Sequence, residues 1–271
     1  MLQYDRKIYY TLRFAAAMCF IGHGAFGIIT KEIWCNYFGV FGIGRHMAYT
    51  VMPWVGIADI LMGVSLLLYP TRAVMVWLFI WGIVTAFLRP MSGEPFAEFV
   101  ERAGNYGVPA ALLILYGGGG SSVKGWFTRV GPDTVFNRMN FGKAVNSLKV
   151  VTFLLLTGHG WLNLIEKKGL MGQYASLGFS NPAQVAHIIG IFEIAAAFTV
   201  LIRPMRPLLL VFFIWKVGSE LFYPSWELFE WIERGGSYGA LLALWFALAS
   251  TSLRTKNILI TALGGLVAWS N

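Results

Sequence analysis

The chain has 271 residues, of which 57% are apolar and only 13% charged, against roughly a quarter charged in ordinary globular chains. That balance excludes a water-soluble globular domain. The net charge of +8 is no sign of nucleic-acid binding either, because the basic residues collect on one side of the predicted spans, where they set topology and meet lipid headgroups.

Taken in chain order, apolar runs cover residues 9–29, 48–69, 73–90, 105–117, 148–165, 183–202, 207–222 and 236–252. Each is close to the roughly 20 residues a helix needs to cross a bilayer, and a few are short. The expected fold class is an all-α integral membrane protein with about eight spans. No small-residue cleavage site follows the first run, so it reads as a permanent span and not as a signal peptide. Arg89-Pro90 and Tyr223-Pro224 read as elbows that end the preceding helices, since proline removes an amide donor and crowds the turn before it. The stretch from Ile258 to Trp269 is interrupted by Gly264 and Gly265 and is expected to lie at the interface as a short tail.

Eight crossings put both termini, the central linker and the turns at Arg72 and Arg206 on one face, with Arg6, Lys7, Arg13, Lys124, Arg129, Lys143, Lys149 and Arg203. The opposite face carries Glu32, Glu94, Glu98, Glu101, Glu166, Glu220, Glu227, Glu230 and Glu233. By the positive-inside rule the basic face is cytoplasmic, which predicts a multi-pass protein of the cytoplasmic (inner) membrane with both termini inside.

The chain is also written twice. LRFAAAMCFIGHG at 12–24 returns as LKVVTFLLLTGHG at 148–160, and ERAGNYG at 101–107 returns as ERGGSYG at 233–239. The offset drifts only from 136 (His23 to His159) to 134 (Asp59 to Glu193) to 132 (Glu98 to Glu230). Self-similarity of this kind predicts two four-helix transmembrane bundles over residues 1–120 and 148–252, joined by a cytoplasmic linker at 121–147 and followed by the tail at 253–271. Because four is even, the repeats are parallel and related by an axis along the membrane normal, unlike an inverted repeat. The GGGGSS run reads as a flexible joint.

Four polar positions recur. His23 and His159 lie in Gly-His-Gly triplets, Asp59 and Glu193 in the second span of each half, Glu98 and Glu101 match Glu230 and Glu233, and Arg102 matches Arg234. An acid at mid-bilayer costs on the order of 3 kcal/mol on insertion scales, so Asp59 and Glu193 must be paired, protonated or hydrated. They serve either a function, such as a solute or proton pathway, or a tie between helices. The histidines could be axial ligands of one haem shared between the halves, or could bond a neighbouring helix through Asp59 and Glu193. Glu98, Arg102, Asn105 and Tyr106 are expected on one helical face at an outer mouth, with Glu98–Arg102 and Glu230–Arg234 as interfacial salt bridges. Outward pockets near Tyr106 and Tyr238 are candidate sites for a quinone. Cys19 and Cys35 are too far apart for a disulfide if the helix is continuous, and no metal signature, phosphate loop or serine-nucleophile motif is present.

Each half resembles the DoxX-like family of small four-span membrane proteins. The resemblance rests on a first helix opening at Leu12-Arg13 and Leu148-Lys149. It also rests on a second helix written Gly56-Ile57-Ala58-Asp59 and Gly190-Ile191-Phe192-Glu193 that closes at Arg72 and Arg206. It covers about four-fifths of the chain as a tandem pair. It implies Asp59 and Glu193 as the family's acidic site, and an accessory, redox-linked role beside other membrane subunits, without a defined catalytic activity.

Overall fold

Helices make up nearly all of the regular structure. The computed structural model describes residues 3–116, 122–132, 138–221 and 228–250, and among these the one strand-like pairing is an isolated bridge between Thr71 and Arg129. The chain runs α1 (Gln3–Ile28), α2 (Trp34–Gly39), α3 (Arg45–Leu68), α4 (Arg72–Met91), α5 (Ala97–Glu101) and α6 (Ala103–Leu115). After the short α7 (Val123–Phe127) come α8 (Arg138–Leu164), α9 (Lys168–Ser176), α10 (Pro182–Ile202), α11 (Arg206–Leu221) and α12 (Leu228–Glu233). Residues 235–250 form α13.

Among the described residues, α1, α3, α4 and α10 are long and apolar enough to cross a membrane, and α8 joins them if it is taken together with α9, from which it bends by 81°. The other predicted spans fall on shorter helices, α6 with 13 residues and α11 with 16, and on α13. The outer surface fits hydrocarbon: Trp54, Ile57, Leu61 and Leu68 on α3, and Ile188, Ile191, Phe198 and Ile202 on α10, are all exposed. An apolar face of that extent has no stable place in water.

Glycine decides how the long helices meet, because lipid offers no hydrophobic drive and close backbone contact takes its place. A Cβ on Gly24 of α1 would stand 2.5 Å from the Gly56 carbonyl of α3, and one on Gly160 of α8 would stand 2.8 Å from the Gly190 carbonyl of α10. Gly22 of α1 lies against the backbone of Glu233 in α12, and Gly158 of α8 against that of Glu101 in α5. Gly104 and Gly236 face one another, a Cβ on the first coming 2.6 Å from the carbonyl carbon of the second. One buried core draws on both halves, including Tyr9, Leu12, Leu78, Leu112, Leu148, Leu156, Val200, Leu209 and Leu244.

The basic end is tied down by side chains that reach main-chain carbonyls. Tyr9 donates to the Val130 carbonyl at 2.9 Å, and Arg72 to those of Tyr116 and Gly125 at 3.1 and 3.2 Å. Pro90 lies within the last turn of α4, which ends one residue later at Met91 and is closed by Ser92 N–H on the Leu88 carbonyl at 2.9 Å. The glycine run at 117–120 with Ser121, the Tyr223-Pro224 elbow and the tail beyond residue 250 lie outside the described residues.

Candidate functional site

The glycine contacts place two imidazoles beside two acids. His23 precedes Gly24 and Asp59 follows Gly56 by one turn, so the close crossing of α1 and α3 sets His23 Nδ1 2.7 Å from Asp59 Oδ2. The crossing of α8 and α10 sets His159 Nδ1 2.5 Å from Glu193 Oε2. Both carboxylates are 1% exposed, and a buried charge of that kind needs a hydrogen-bonded partner. The imidazoles supply it. The second pair is further braced by Asn163, which donates to Glu193 at 3.4 Å and accepts from the Tyr174 hydroxyl at 2.8 Å. In the first half the matching position is Gly27, which packs instead on Gly56.

Next to these pairs lies a buried ionic network. Glu98, Glu101 and Arg102 are each no more than 5% exposed, so the expected interfacial Glu98–Arg102 bridge is instead an interior one, at 2.5 Å. Arg102 also meets Glu101 at 3.1 Å, and Arg89 meets Glu98 at 3.6 Å. Burial works against the Glu98 carboxylate, yet Arg102, Lys167 and Arg89 outweigh it and hold the group down to about 2. Burial pulls Lys167 down and its pairing with Glu98 only partly restores it.

The Glu230–Arg234 bridge expected from sequence is not formed. Glu230 pairs with Lys31 and Arg234 with Glu101, while Glu220 stands 3.9 Å from Arg234. Arg234 stands at the junction of α12 and α13, with its guanidinium drawn to Glu101 of the other half. Arg102 occupies the corresponding break between α5 and α6, with φ −84° and ψ 16°. The single helical face expected for Glu98, Arg102, Asn105 and Tyr106 is therefore divided. Asn105 lines a cavity with Arg102, whereas the Tyr106 ring stacks on Phe99 at 5.4 Å and its hydroxyl donates to the Phe99 carbonyl at 3.4 Å.

Three hollows adjoin these groups. The first, about 80 Å³, is lined by His23, Trp34, Trp81, Arg102, Asn105 and Glu233 among others. Its counterpart around His159 is filled to about 20 Å³ by Lys167, Gln173 and Glu220. The third is an apolar groove of about 600 Å³ between α1, α11, α12 and α13, reaching from Lys7 past Phe14 and Met18 to Trp231 and Tyr238. Tyr238 lines that groove, while its hydroxyl is buried behind the wall and has no hydrogen-bond partner.

The two copies differ at a position where α4 packs on α6. Gly82 in FIWG (79–82) allows α4 to approach α6, where a Cβ would lie 3.1 Å from the Asn105 carbonyl oxygen and 3.2 Å from Tyr106 Cα. FIWK (213–216) has Lys216 at that place, 1% exposed and without a hydrogen-bond partner. Lys216, Lys31, Lys167 and Asn163 were not singled out in the sequence reading. Lys31 and Lys167 are 136 residues apart, the offset of the two histidines, and Lys216 is a lone charge inside an apolar run, so both signals were available.

His23 and His159 line separate hollows and each is bound to its own acid. Cys19 and Cys35 are both free and buried. No family model, curated protein or solved structure matches the chain.

Proposed function

We propose that the chain is a DoxX-like protein of the cytoplasmic membrane, built as a tandem duplication of a four-span unit with eight crossings and both termini inside, and that it serves as an accessory subunit of a redox-linked assembly. The matched contacts support the duplication: Gly22 on Glu233 with Gly158 on Glu101, and Lys31–Glu230 with Lys167–Glu98. The role we assign to it is to hold a lipophilic ligand of the isoprenoid quinone class in the groove between α1, α11 and α13.

A single observation carries this reading, an apolar groove of about 600 Å³ with the Tyr238 and Trp231 side chains on its wall. The Tyr238 hydroxyl, buried behind the groove wall without a partner, costs on the order of 1–3 kcal/mol, which a ligand carbonyl recovers once the tyrosine turns its hydroxyl into the groove. The apolar wall then suits an isoprenoid chain. From Met18 back to Lys7 the groove follows α1 for about 16 Å at ~1.5 Å per residue, so a head at Tyr238 and Trp231 leaves the tail lying along the membrane interior. A site of this shape, mostly apolar with one directed polar group, is the usual form of a small-molecule pocket.

The test is binding of decylubiquinone to the detergent-purified protein, followed by quenching of tryptophan fluorescence. Tyr238→Phe should weaken binding roughly tenfold, the value of one hydrogen bond of about 1.4 kcal/mol. Leu242→Trp, which fills the groove, should abolish it. Saturable binding that survives Leu242→Trp would sink the assignment. Other membrane subunits should co-purify after mild extraction.

A further inference from the structure

We propose that Lys7 and Arg206, seated on neighbouring rings of α13, form a headgroup site for one anionic phospholipid at the basic end of the molecule. The inference goes beyond the quinone reading and does not depend on it. Lys7 Nζ stands 5.5 Å from the centroid of the Phe246 ring, and the Arg206 guanidinium 4.3 Å from that of Trp245. The two rings meet edge to face at 5.1 Å, so one aromatic step of α13 carries both cations at the same end of the bundle.

Both cations are free of carboxylates. Neither forms a hydrogen bond or an ion pair with a described residue; ring faces alone hold them, Lys7 lying over Tyr4 as well at 5.3 Å. A ring quadrupole attracts a cation without neutralising its charge or filling its in-plane donors. Asp5, the acid nearest to Lys7 in the chain, is 2% exposed and accepts from the Ser250 hydroxyl at 2.9 Å.

Arg72 shows the contrast. It precedes Arg206 by 134 residues, the offset of Asp59 and Glu193, and gives its guanidinium to the Tyr116 and Gly125 carbonyls. Arg13 likewise donates to the Leu66 carbonyl at 2.9 Å. Arg206 has only its Nε shut in without a partner, while the residue is half-buried, so its terminal nitrogens are the donors open to a ligand.

The ligand that fits carries a phosphate and apolar chains. Cations at the ends of membrane helices attract an anionic headgroup, and the fork of an arginine matches phosphate oxygens. Leu210 and Ile214, one and two turns beyond Arg206 on the same face of α11, are exposed and give an acyl chain an apolar track. Trp245 and Tyr4 supply the amphipathic rings that sit at headgroup level. Arg203, exposed on the turn before α11, adds to the positive field.

Native mass spectrometry of the full chain, released from dodecyl maltoside after titration with dioleoylphosphatidylglycerol or dioleoylphosphatidylcholine, counts the lipids that stay bound. One phosphatidylglycerol should be held about tenfold more tightly than the first phosphatidylcholine, or better. Lys7→Gln and Arg206→Gln should each weaken it about fivefold, the value of one basic side chain at a membrane surface, and should leave phosphatidylcholine unchanged. Lys143→Gln, which removes an exposed charge near the start of α8, should keep the preference. All variants are compared in protein that elutes as the wild type does on gel filtration. Equal binding of the two lipids, a preference that survives Lys7→Gln with Arg206→Gln, or a loss in Lys143→Gln as large as that in Arg206→Gln overturns the proposal. Sodium phosphate should displace no more lipid than sodium chloride of equal ionic strength; greater displacement would mark a site for the bare anion and overturn it too. Tyr238→Phe and Leu242→Trp leave lipid binding intact, which separates a failure here from a failure of the quinone reading.

Discussion

Arg234 closes an ion pair on Glu101, a residue 133 positions earlier in the chain, and not on Glu230 one turn before it in its own helix. Glu101 is 2% exposed, so the pair ties the two halves together through a group that cannot be left alone. Breaking a buried pair by removing one partner costs on the order of 3 kcal/mol or more, because the other charge is stranded. Arg234→Met should therefore lower the unfolding temperature in detergent sharply. Adding Glu101→Gln should restore much of the loss, and full additivity of the two changes in a double-mutant cycle would show that the pair carries no coupling.

Glycine at the crossings gives a second expectation. Gly22→Ala and Gly158→Ala each drive a Cβ into the backbone of a neighbouring helix, at Glu233 and Glu101. Overpacking of this kind costs about 2 kcal/mol, more than the ~1 kcal/mol that alanine returns in helix propensity. Gly172→Ala, which meets nothing within 4 Å, should be neutral or slightly stabilising. Thermal unfolding of the three variants side by side checks the ordering.

The ionic network fixes a pH dependence. Glu98 faces Arg102, Lys167, Arg89 and the like-charged Glu101, and its carboxyl is held down to about 2 against an ordinary 4.5. A depressed acid stabilises the fold at pH values above its unfolded value and loses that contribution as pH falls through the folded one. Stability should thus decline between about pH 4.5 and pH 2, most steeply midway between the two values. Glu98→Gln should be less stable than wild type at pH 7 and should show a flatter acid limb. An acid limb identical to wild type would contradict the assignment.

Topology can be read by thiol labelling with little background, since Cys19 and Cys35 are buried. Lys124→Cys, on the exposed α7, should react with an impermeant maleimide only after the cells are opened. Gly39→Cys, where the structure leaves open space, should react in intact cells. Labelling of both positions from one side would remove the parallel arrangement of two four-span units.

Much of the fold was legible in the residues because its causes are local. Low charge and repeated apolar runs dictate helices suited to hydrocarbon, and the Gly-His-Gly triplets marked the crossings at which α1 meets α3 and α8 meets α10. The His23–Asp59 and His159–Glu193 pairs were also foreseeable as one of two readings, since a deep acid needs a partner and the neighbouring helix carries an imidazole.

What only the tertiary structure decided is where the two written copies part company. The sequence alone determined an apolar, all-helical chain with matched polar positions, because composition and period act on each helix separately. The Glu98–Arg102 pair followed from its one-turn spacing, but the crossing of Arg234 to Glu101 in place of Glu230 did not, because that partner comes from the other half of the chain. Nor did the groove at Tyr238. That hollow is bounded by α1, α11, α12 and α13 together, and the distance between packed helices is a property of both surfaces at once.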